Sequence, residues 1–258
     1  MISVKSAREI DCMRRAGAIA GQAIAMAGRA IEPGITTRQL DGIIRKAIEA
    51  RGARPSFLGY NGFPANSCIS VNEEVIHGIP GKRKLLEGDI VSLDVGASID
   101  GFHGDSSATF PVGRVSAEAM KLIEATKQCF YQALPLIRSG GHISDISKAI
   151  AKYAALHRYG VVQKYTGHGV GRDMHEAPEV PNFYTGRRGA RMVKGMTLAV
   201  EPMILMGGGH RVEVLKDGWT VVSADRSLAA HYEHTVLITD SEPELLTARE
   251  GDPLLPAV

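Results

Sequence analysis

The acidic residues of this sequence offer the first chemistry, because four of them stand beside apolar runs. They are Asp94, Asp105, Glu201 and Glu233. Asp94 ends the run Ile-Val-Ser-Leu, Glu201 interrupts Leu-Ala-Val-Glu-Pro-Met-Ile-Leu, and Glu233 directly precedes a strand-like segment. Burying an unpaired charge is costly, and four together exceed what a protein core tolerates. A divalent metal would supply the counter-charge. The alternative is that some of them are ordinary acids at solvated strand ends.

The spacing of the first two carboxylates predicts a β-hairpin. Between Asp94 and Asp105 lies Ser98-Ile-Asp-Gly101, whose glycine suits a tight turn. A four-residue loop over 98–101 would place Asp94 directly opposite Asp105. Directly opposed like charges destabilise a strand pair, which again favours a bound cation.

His168 adds a nitrogen donor to this set. It stands in Gly167-His-Gly-Val-Gly171, where the glycines leave the imidazole uncrowded. Carboxylates with one imidazole suit Mn, Fe, Co or Zn, whereas the glycines lack the strand–helix context of a nucleotide site. A single histidine is more often structural, and His77 is a core histidine unless it faces the carboxylates. The two histidines beside the last carboxylate, His231 and His234, stay open between structural and functional roles.

The elements that must position these residues follow from capping residues and hydrophobic periodicity. Helices are predicted over 7–31, 37–51, 116–139 and 144–158. Strands are predicted over 67–71, 90–95, 107–112, 197–205, 212–214, 220–223 and 234–239, and the tail, 253–258, is expected to fray. The chain therefore reads as a mixed α/β (α+β) protein.

The two halves of the chain echo each other. Ile31-Glu-Pro-Gly34 and Ile137-Arg-Ser-Gly140 each end a long helix and precede a shorter one. At nearly the same offset, Gly88-Asp-Ile-Val-Ser-Leu-Asp94 parallels Gly195-Met-Thr-Leu-Ala-Val-Glu201. The pattern predicts a duplicated helix–helix–sheet unit, with chance similarity as the alternative. A true duplication would place the two terminal carboxylates at symmetry-related positions.

Composition narrows the class of protein. A length of 258 residues with 44% hydrophobic content fits one large domain or two fused halves. A net charge of +2 gives no sign of a nucleic-acid partner, and the basic clusters at 82–84 and 187–191 are more typical of solvated loops. Three cysteines without a CxxC motif argue against a disulfide framework or a zinc knuckle. With neither a signal peptide nor a membrane-length apolar run, a cytoplasmic location is expected.

A series of short motifs runs along most of the chain. They are Asn72-Glu-Glu-Val-Ile-His-Gly-Ile-Pro80, Ser92-Leu-Asp-Val-Gly96, Gly104-Asp-Ser-Ser-Ala-Thr-Phe110, Gly167-His-Gly-Val-Gly-Arg172, Val200-Glu-Pro-Met203, Asp217-Gly-Trp-Thr220, Asp225-Arg-Ser-Leu228 and Tyr232-Glu-His-Thr235. Together they closely resemble the type I methionine aminopeptidases, over residues 2–247.

This resemblance implies both a fold and an activity. The fold is the pseudo-two-fold symmetric "pita-bread" α/β fold, an antiparallel sheet covered by helices. It would form one catalytic domain, 1–258, with halves of roughly 1–113 and 114–248. The activity is removal of the N-terminal methionine from nascent polypeptides when the next residue is small. Two divalent metal ions (Co, Mn, Fe or Zn) would activate a hydroxide that attacks the first peptide bond.

The resemblance also implies roles for individual residues. The implied metal ligands are Asp94, Asp105, His168, Glu201 and Glu233. The implied catalytic residues are His77, His175 and Glu201. Among the ligands, Asp105 and Glu233 would bridge the two metals, and Glu201 would shuttle a proton from water to the leaving amine. His77 and His175 would face the substrate and stabilise the developing oxyanion.

The pocket for the methionine side chain is implied in the same way. Its walls would be Tyr60, Phe63, Cys68, Trp219 and Met174, beside the two substrate-facing histidines. Three positions depart from the family: Phe57 replaces a smaller residue, Asn61 a frequent histidine, and Met174 a common aromatic. These departures leave the chemistry unchanged but affect the width of the pocket. Without the resemblance, core packing would be the preferred explanation for the aromatic residues.

Three other activities stay open at this point. An Xaa-Pro peptidase of the same fold usually carries an extra N-terminal domain, and a non-catalytic binding relative typically loses metal ligands. A creatinase-like hydrolase is the third alternative. The family resemblance favours a monomer with transient ribosome association, no membrane partner and no specific nucleic acid.

Overall fold

In the computed structural model, which describes residues 2–250 and residue 252, four α-helices form where the sequence provides caps. They are α1 (Ala7–Arg29), α2 (Thr37–Glu49), α3 (Ala117–Ala133) and α4 (Ile143–Leu156). Ser6 and Thr36 begin the first two helices with capping boxes, in which Glu9 and Gln39 return the hydrogen bond. All four predicted helices are therefore present, within a few residues at most ends.

The end of α3 differs from the prediction. The predicted helix over 116–139 stops at Ala133 and continues only as a short 3-10 helix, Leu134–Leu136. Pro135 explains the change, because proline lacks the N–H that would continue the hydrogen bonds of the α-helix. The predicted fray of 253–258 lies outside the described residues. Within the described part, no helix is long and apolar enough to cross a membrane.

The strands are mostly short and all pair antiparallel. They are β1 (Arg54–Pro55), β2 (Cys68–Val71), β3 (Glu74–Ile76), β4 (Ile90–Ile99), β5 (Phe102–Pro111), β6 (Gly160–Val161), β7 (Gly167–Gly169), β8 (Glu176–Val180), β9 (Thr197–Val200), β10 (Met203–Leu205), β11 (Val212–Val214), β12 (Val221–Ser223), β13 (Ala229–His231), β14 (Glu233–Leu237) and β15 (Glu244–Leu245). The predicted strand over 197–205 is broken at Glu201-Pro202 into β9 and β10, which join different sheets.

Nine strands form the main sheet, in the order β1-β4-β5-β14-β9-β7-β8, with β2 paired to β4 and β15 paired to β14. Two smaller sheets have the orders β13-β10-β6 and β11-β12-β3. The main hydrophobic core lies between the helices and the main sheet. The mixed α/β class and the antiparallel, helix-covered sheet are confirmed.

The hairpin between β4 and β5 corrects the predicted register. Ile99 pairs with Phe102, so the loop has two residues, Asp100 and Gly101, rather than four. Both have positive φ, 54° and 77°, as a tight type I′ turn requires. Asp94 therefore faces Ser107, and Asp105 faces Gly96. The prediction that the two aspartates are directly opposite is wrong; they are diagonal neighbours on the same face of the sheet.

The middle of the main sheet shows the predicted pseudo-two-fold symmetry. β5 and β14 pair at the centre, where Ser107 lies opposite Glu233. β4 flanks β5 on one side, and β9 flanks β14 on the other. Asp94 on β4 and Glu201 just after β9 therefore occupy equivalent places, as the sequence echo predicted.

Helix α1 approaches the sheet closely beside one of the carboxylates. A Cβ on Gly104 would lie 2.5 Å from the Cα of Gly17, so a side chain at position 104 would not fit against the helix. Gly104 precedes Asp105 on β5. On β4, Leu93 and Val95 enter the main core, and Asp94 between them points to the opposite face. The core thus fixes the strands, and the carboxylates face away from it.

Candidate metal centre

A cavity of about 270 Å³ opens on the face of the sheet that carries the carboxylates. Its lining residues are Phe57, Tyr60, Asn61, Phe63, Cys68, Ile76, His77, Asp94, Asp105, His168, His175, Glu201, Trp219, His231 and Glu233. The structure therefore brings together, around one cavity, every residue predicted for the site except Met174.

Four adjacent strands place the carboxylates. Asp94 is on β4, Asp105 on β5, Glu233 begins β14, and Glu201 follows β9. The backbones of the two central strands are joined by Thr235, whose hydroxyl accepts from the Asp105 N–H at 3.0 Å and donates to the Asp105 carbonyl at 2.8 Å. These bonds fix the backbone that carries Asp105 against β14.

His168 presents one ring nitrogen to this group. Its Nδ1 donates to the carbonyl of Gly169 at 2.8 Å, which leaves the lone pair on Nε2. Nε2 lies 3.7 Å from Asp105 Oδ2 and 3.6 Å from Glu201 Oε1. A histidine held in this tautomer is prepared to ligate a metal through Nε2.

The electrostatics of the group call for a cation. Burial raises the pKa of the Asp94 carboxyl to about 7. Burial and the neighbouring carboxylates also hold the pKa values of Asp105, Glu201 and Glu233 well above their usual range. Burial lowers the pKa of His168 to about 3, so the imidazole stays neutral and supplies no counter-charge.

Unsatisfied oxygens show that the residues fit a divalent metal. One oxygen each of Asp94, Asp105 and Glu233 is buried without a hydrogen-bond partner in the described chain. Such groups are costly unless something binds them. Ligand atoms of Asp105, His168 and Glu233 lie within 4.8 Å of one another, close enough to share an ion. Oxygen donors with an imidazole are a donor set for Mn, Fe, Co or Zn.

His77 and His175 stand on the walls of the same cavity. His77 has φ of 60°, an uncommon backbone conformation for a residue with a side chain, and its ring packs edge-on to Tyr165 and Trp219. The His175 ring stacks on Tyr60, and its Nδ1 lies 2.9 Å from the Tyr60 hydroxyl. Burial lowers the pKa of His77 to about 4 and also lowers the pKa of His175, so both rings are neutral at pH 7.

The loop that carries His175 is held by a residue that is distant in sequence. Lys5 forms a buried ion pair of 2.7 Å with Glu176, the next residue. Gly171 leaves room for that carboxylate, because a Cβ there would lie 2.2 Å from Glu176 Oε1. The ion pair and the missing side chain together position the histidine at the rim of the cavity.

The apolar wall agrees with the predicted pocket, with one exception. Phe63 packs edge-on against Trp219, and both line the cavity together with Tyr60 and Cys68. Phe57 and Asn61, two of the departures from the family pattern, also line it. The buried Met174 does not line the cavity but packs behind it in the same apolar cluster as Phe57 and Cys68.

His231 is a site residue that sequence reasoning left open. Its side chain is 2% exposed and lines the cavity, and burial lowers its pKa to about 3. A signal for it existed: His231 and Glu233 are two residues apart, and alternate residues of extended chain share a face.

Gly96 packs against Phe57, a residue that lines the cavity. A Cβ at position 96 would lie 2.7 Å from Ser56 Cβ and 2.8 Å from Phe57 Cε1. We expect Gly96→Ala to push Phe57 into the cavity and to raise KM for a substrate that fills it by about tenfold, equivalent to about 1.4 kcal/mol. The Michaelis constants of the two proteins test this.

Gly42→Ala is the matched control for this prediction, because a Cβ at position 42 meets nothing within 4 Å. The double variant Gly96→Ala/Phe57→Ala should recover most of the lost affinity. An unchanged KM in Gly96→Ala would show that Phe57 adjusts without narrowing the pocket.

Comparison with known proteins places this geometry among metallopeptidases. The model of metallopeptidase family M24 matches residues 11–240. The chain is 49% identical to a methionine aminopeptidase of Clostridium acetobutylicum over 251 residues, which span 97% of this chain and 100% of the relative.

Solved structures agree at the level of the fold. The crystal structure of a methionine aminopeptidase from Thermotoga maritima superposes with a TM-score of 0.94 at 40% identity, covering 96% of this chain and 100% of that one. A prolidase from Pyrococcus furiosus has a TM-score of 0.79 at 22% identity, with 96% of this chain matching 66% of that one. The second likeness shows the fold alone.

Proposed function

The chain belongs to metallopeptidase family M24, and we propose that it is a methionine aminopeptidase that removes the N-terminal methionine when the next residue is small. One observation carries the proposal: the carboxylates and His168 form the floor of a cavity whose apolar wall includes Phe63, Cys68 and Trp219. Hydrolytic chemistry and a pocket for an unbranched apolar side chain therefore adjoin. The preference for a small second residue comes from the family.

The metal requirement is proposed in more detail than the family name gives. Two divalent ions, chosen among Co, Mn, Fe and Zn, would be held by Asp94, Asp105, His168, Glu201 and Glu233. When bound, they supply Lewis-acid activation of the attacking water and of the peptide carbonyl. Four ionised carboxylates balance the charge of two such ions, which explains why the protein keeps so many buried acids together.

Glu201 is proposed to move the proton. Its carboxyl lines the cavity beside the other proposed ligands, where it could accept a proton from the attacking water and return it to the leaving amine. Asn182 donates to the Glu201 backbone carbonyl at 2.8 Å and holds the backbone in place. The side chain reaches the cavity just beyond the end of β9.

His77 and His175 are proposed to donate hydrogen bonds to the carbonyl oxygen as it gains negative charge. Both rings are neutral, so they donate without adding charge to a site that metals already balance. We propose that the Tyr60 hydroxyl, 2.9 Å from Nδ1 of His175, donates to that nitrogen, which leaves the ring proton on Nε2 and available to the substrate. Tyr60 thereby links the pocket wall to the catalytic group.

Replacing His175 tests this role. His175→Ala should lower kcat by about 10²–10³-fold, the loss typical of one oxyanion donor. Metal content, measured by elemental analysis, should stay unchanged, because the histidine is not among the proposed ligands. His157→Ala is the control, since that exposed histidine lies at the end of α4. A loss of bound metal in His175→Ala would mean that His175 acts as a ligand instead.

The activity itself is tested with metal-stripped protein. Turnover of Met-Ala-Ser is measured while Fe, Mn, Co and Zn are added in turn, with Ala-Pro-Ser and N-acetyl-Met-Ala-Ser as comparison peptides. Cleavage of Met-Ala-Ser alone supports the proposal. Faster cleavage of Ala-Pro-Ser would assign an Xaa-Pro peptidase, and metal binding without turnover of any peptide would leave a binding protein.

The cellular setting is proposed on the same family basis. The chain would act on nascent polypeptides as a cytoplasmic monomer with transient ribosome contact, and residues 1–258 would form one catalytic domain with halves near 1–113 and 114–248. The three cysteines, all buried and unpaired, agree with a reducing compartment. Sedimentation of the purified protein alone and with ribosomes tests the oligomeric state and the contact.

A further inference from the structure

The imidazole of His231 is buried without a hydrogen-bond partner. Its side chain is 2% exposed, and neither Nδ1 nor Nε2 bonds to any residue that the structure describes. A buried polar ring in this condition costs free energy unless a ligand satisfies it. The other buried histidines of the region differ, because His168 and His234 each have a bonded ring nitrogen.

The ring of His231 points at the proposed metal ligands. Its Nε2 lies 3.6 Å from Glu201 Oε2 and 3.9 Å from Glu233 Oε2. Both distances exceed hydrogen-bond length. They match the separation of two atoms that share one ion, which is about 3.0–4.2 Å when each lies about 2.1 Å from it.

His168 provides an internal standard for this geometry. Its Nε2 is 3.6 Å from Glu201 Oε1, so each oxygen of Glu201 faces one imidazole at the same distance. His168 lies on β7 and faces Oε1 of Glu201, whereas His231 ends β13 and faces Oε2. The two histidines therefore flank Glu201.

The backbone of His231 is fixed before any ligand arrives. Its N–H donates to the hydroxyl of Thr109 at 2.9 Å, and that hydroxyl lies 2.9 Å from the His231 carbonyl. In the pairing of β13 with β10, His231 lies opposite Met203, which is two residues after Glu201. These contacts fix the backbone that carries the ring, so an ion would not have to order the main chain at His231.

We propose that His231 is a sixth protein ligand, which binds a divalent ion through Nε2 together with Glu201 and Glu233. The inference rests on the metal centre of the proposed function and adds a second imidazole to it. Because imidazole suits Zn, Co and Fe better than Mn or Mg, this residue should favour the former ions.

X-ray absorption at the zinc edge of the protein with two bound zinc ions tests the proposal by counting imidazoles. The wild type should show one imidazole per zinc on average, from His168 and His231. The value should fall to about one half in His231→Leu, and zinc affinity by chelator competition should fall at least tenfold. His168→Leu should give the same count, and His157→Gln should leave it at one.

Two outcomes would overturn the proposal: a count of one half in the wild type, or a count unchanged by His231→Leu. If His231→Leu fails to fold, judged by thermal unfolding without metal, His231→Gln replaces it in the same measurement. If the wild type cleaves Met-Ala-Ser but shows only half an imidazole per zinc, His231 is not a ligand and the proposed peptidase activity still stands. Failure to bind zinc at all would reject both.

Discussion

Glu201→Gln is expected to lower kcat for Met-Ala-Ser by about 10³–10⁴-fold at saturating metal, at the upper end of what general acid–base catalysis contributes. Glutamine keeps an oxygen where Glu201 faces His168 but cannot accept and return a proton. Because the pocket wall is untouched, KM should change by less than threefold, roughly 0.7 kcal/mol of binding free energy. Steady-state kinetics over a range of metal concentrations measure both constants and separate lost chemistry from lost metal.

Glu179→Gln serves as the matched control, because that glutamate is exposed on β8 away from the cavity. It should retain wild-type kinetics. A Glu201→Gln enzyme within tenfold of the wild-type kcat would remove Glu201 from the proton path and leave it as a ligand only.

The metal-free protein should lose stability as pH rises, and Asp94→Asn should prevent part of that loss. The folded-state pKa of Asp94 is about 7, above its ordinary 3.8. An acid whose pKa is raised by folding contributes full stability below about pH 4 and loses that contribution as pH rises through 7. After allowance for residual solvent contact, the loss at pH 8 is about 2–4 kcal/mol from this group.

Urea unfolding in chelator, compared between wild type and Asp94→Asn, measures this effect. The difference between the two proteins isolates Asp94 from the buried histidines, whose lowered pKa values destabilise the fold as pH falls. The variant should match the wild type near pH 4 and exceed it by about 2–4 kcal/mol at pH 8. With saturating zinc the order should reverse, because the variant has lost a ligand.

Asp240→Asn is the control for this series, since that aspartate forms only an exposed ion pair with Lys194. Its stability should follow the wild type at every pH. Equal stability of Asp94→Asn and wild type at pH 8 without metal would contradict the prediction, because it would mean that ionising Asp94 does not destabilise the folded protein.

The carboxylates of the site could be singled out from local sequence, because the burial of an acid shows in its apolar neighbours. The roles of His77 and His175 and the aromatic wall came only from the family resemblance. Asp94 and Glu201 each follow strongly apolar residues, and such a position for an acid is rare without a compensating charge. The pair Thr36-Thr37 likewise indicated the start of α2, where Thr36 is the N-cap. These signals are local, so no tertiary information was needed.

Register and remote contacts were not predictable in the same way. A two-residue turn at Asp100-Gly101 and a four-residue loop over 98–101 use the same sequence, yet they shift the partner of Asp94 by two residues. Lys5 gave no sign that it would pair with Glu176, because 171 positions separate the two residues in the sequence. His231 stayed open between structural and functional roles, because its position relative to Glu233 depends on the backbone at Tyr232, between β13 and β14.

The pseudo-two-fold sheet has a consequence for how the charge of the site is divided. One half supplies Asp94 and Asp105, and the other supplies Glu201 and Glu233, so a single unit carries only half of the charge that two ions need. The two halves have diverged around this shared charge: the imidazole of His168 belongs to one half alone, and the aromatic side chains of Tyr60 and Phe63 belong to the other.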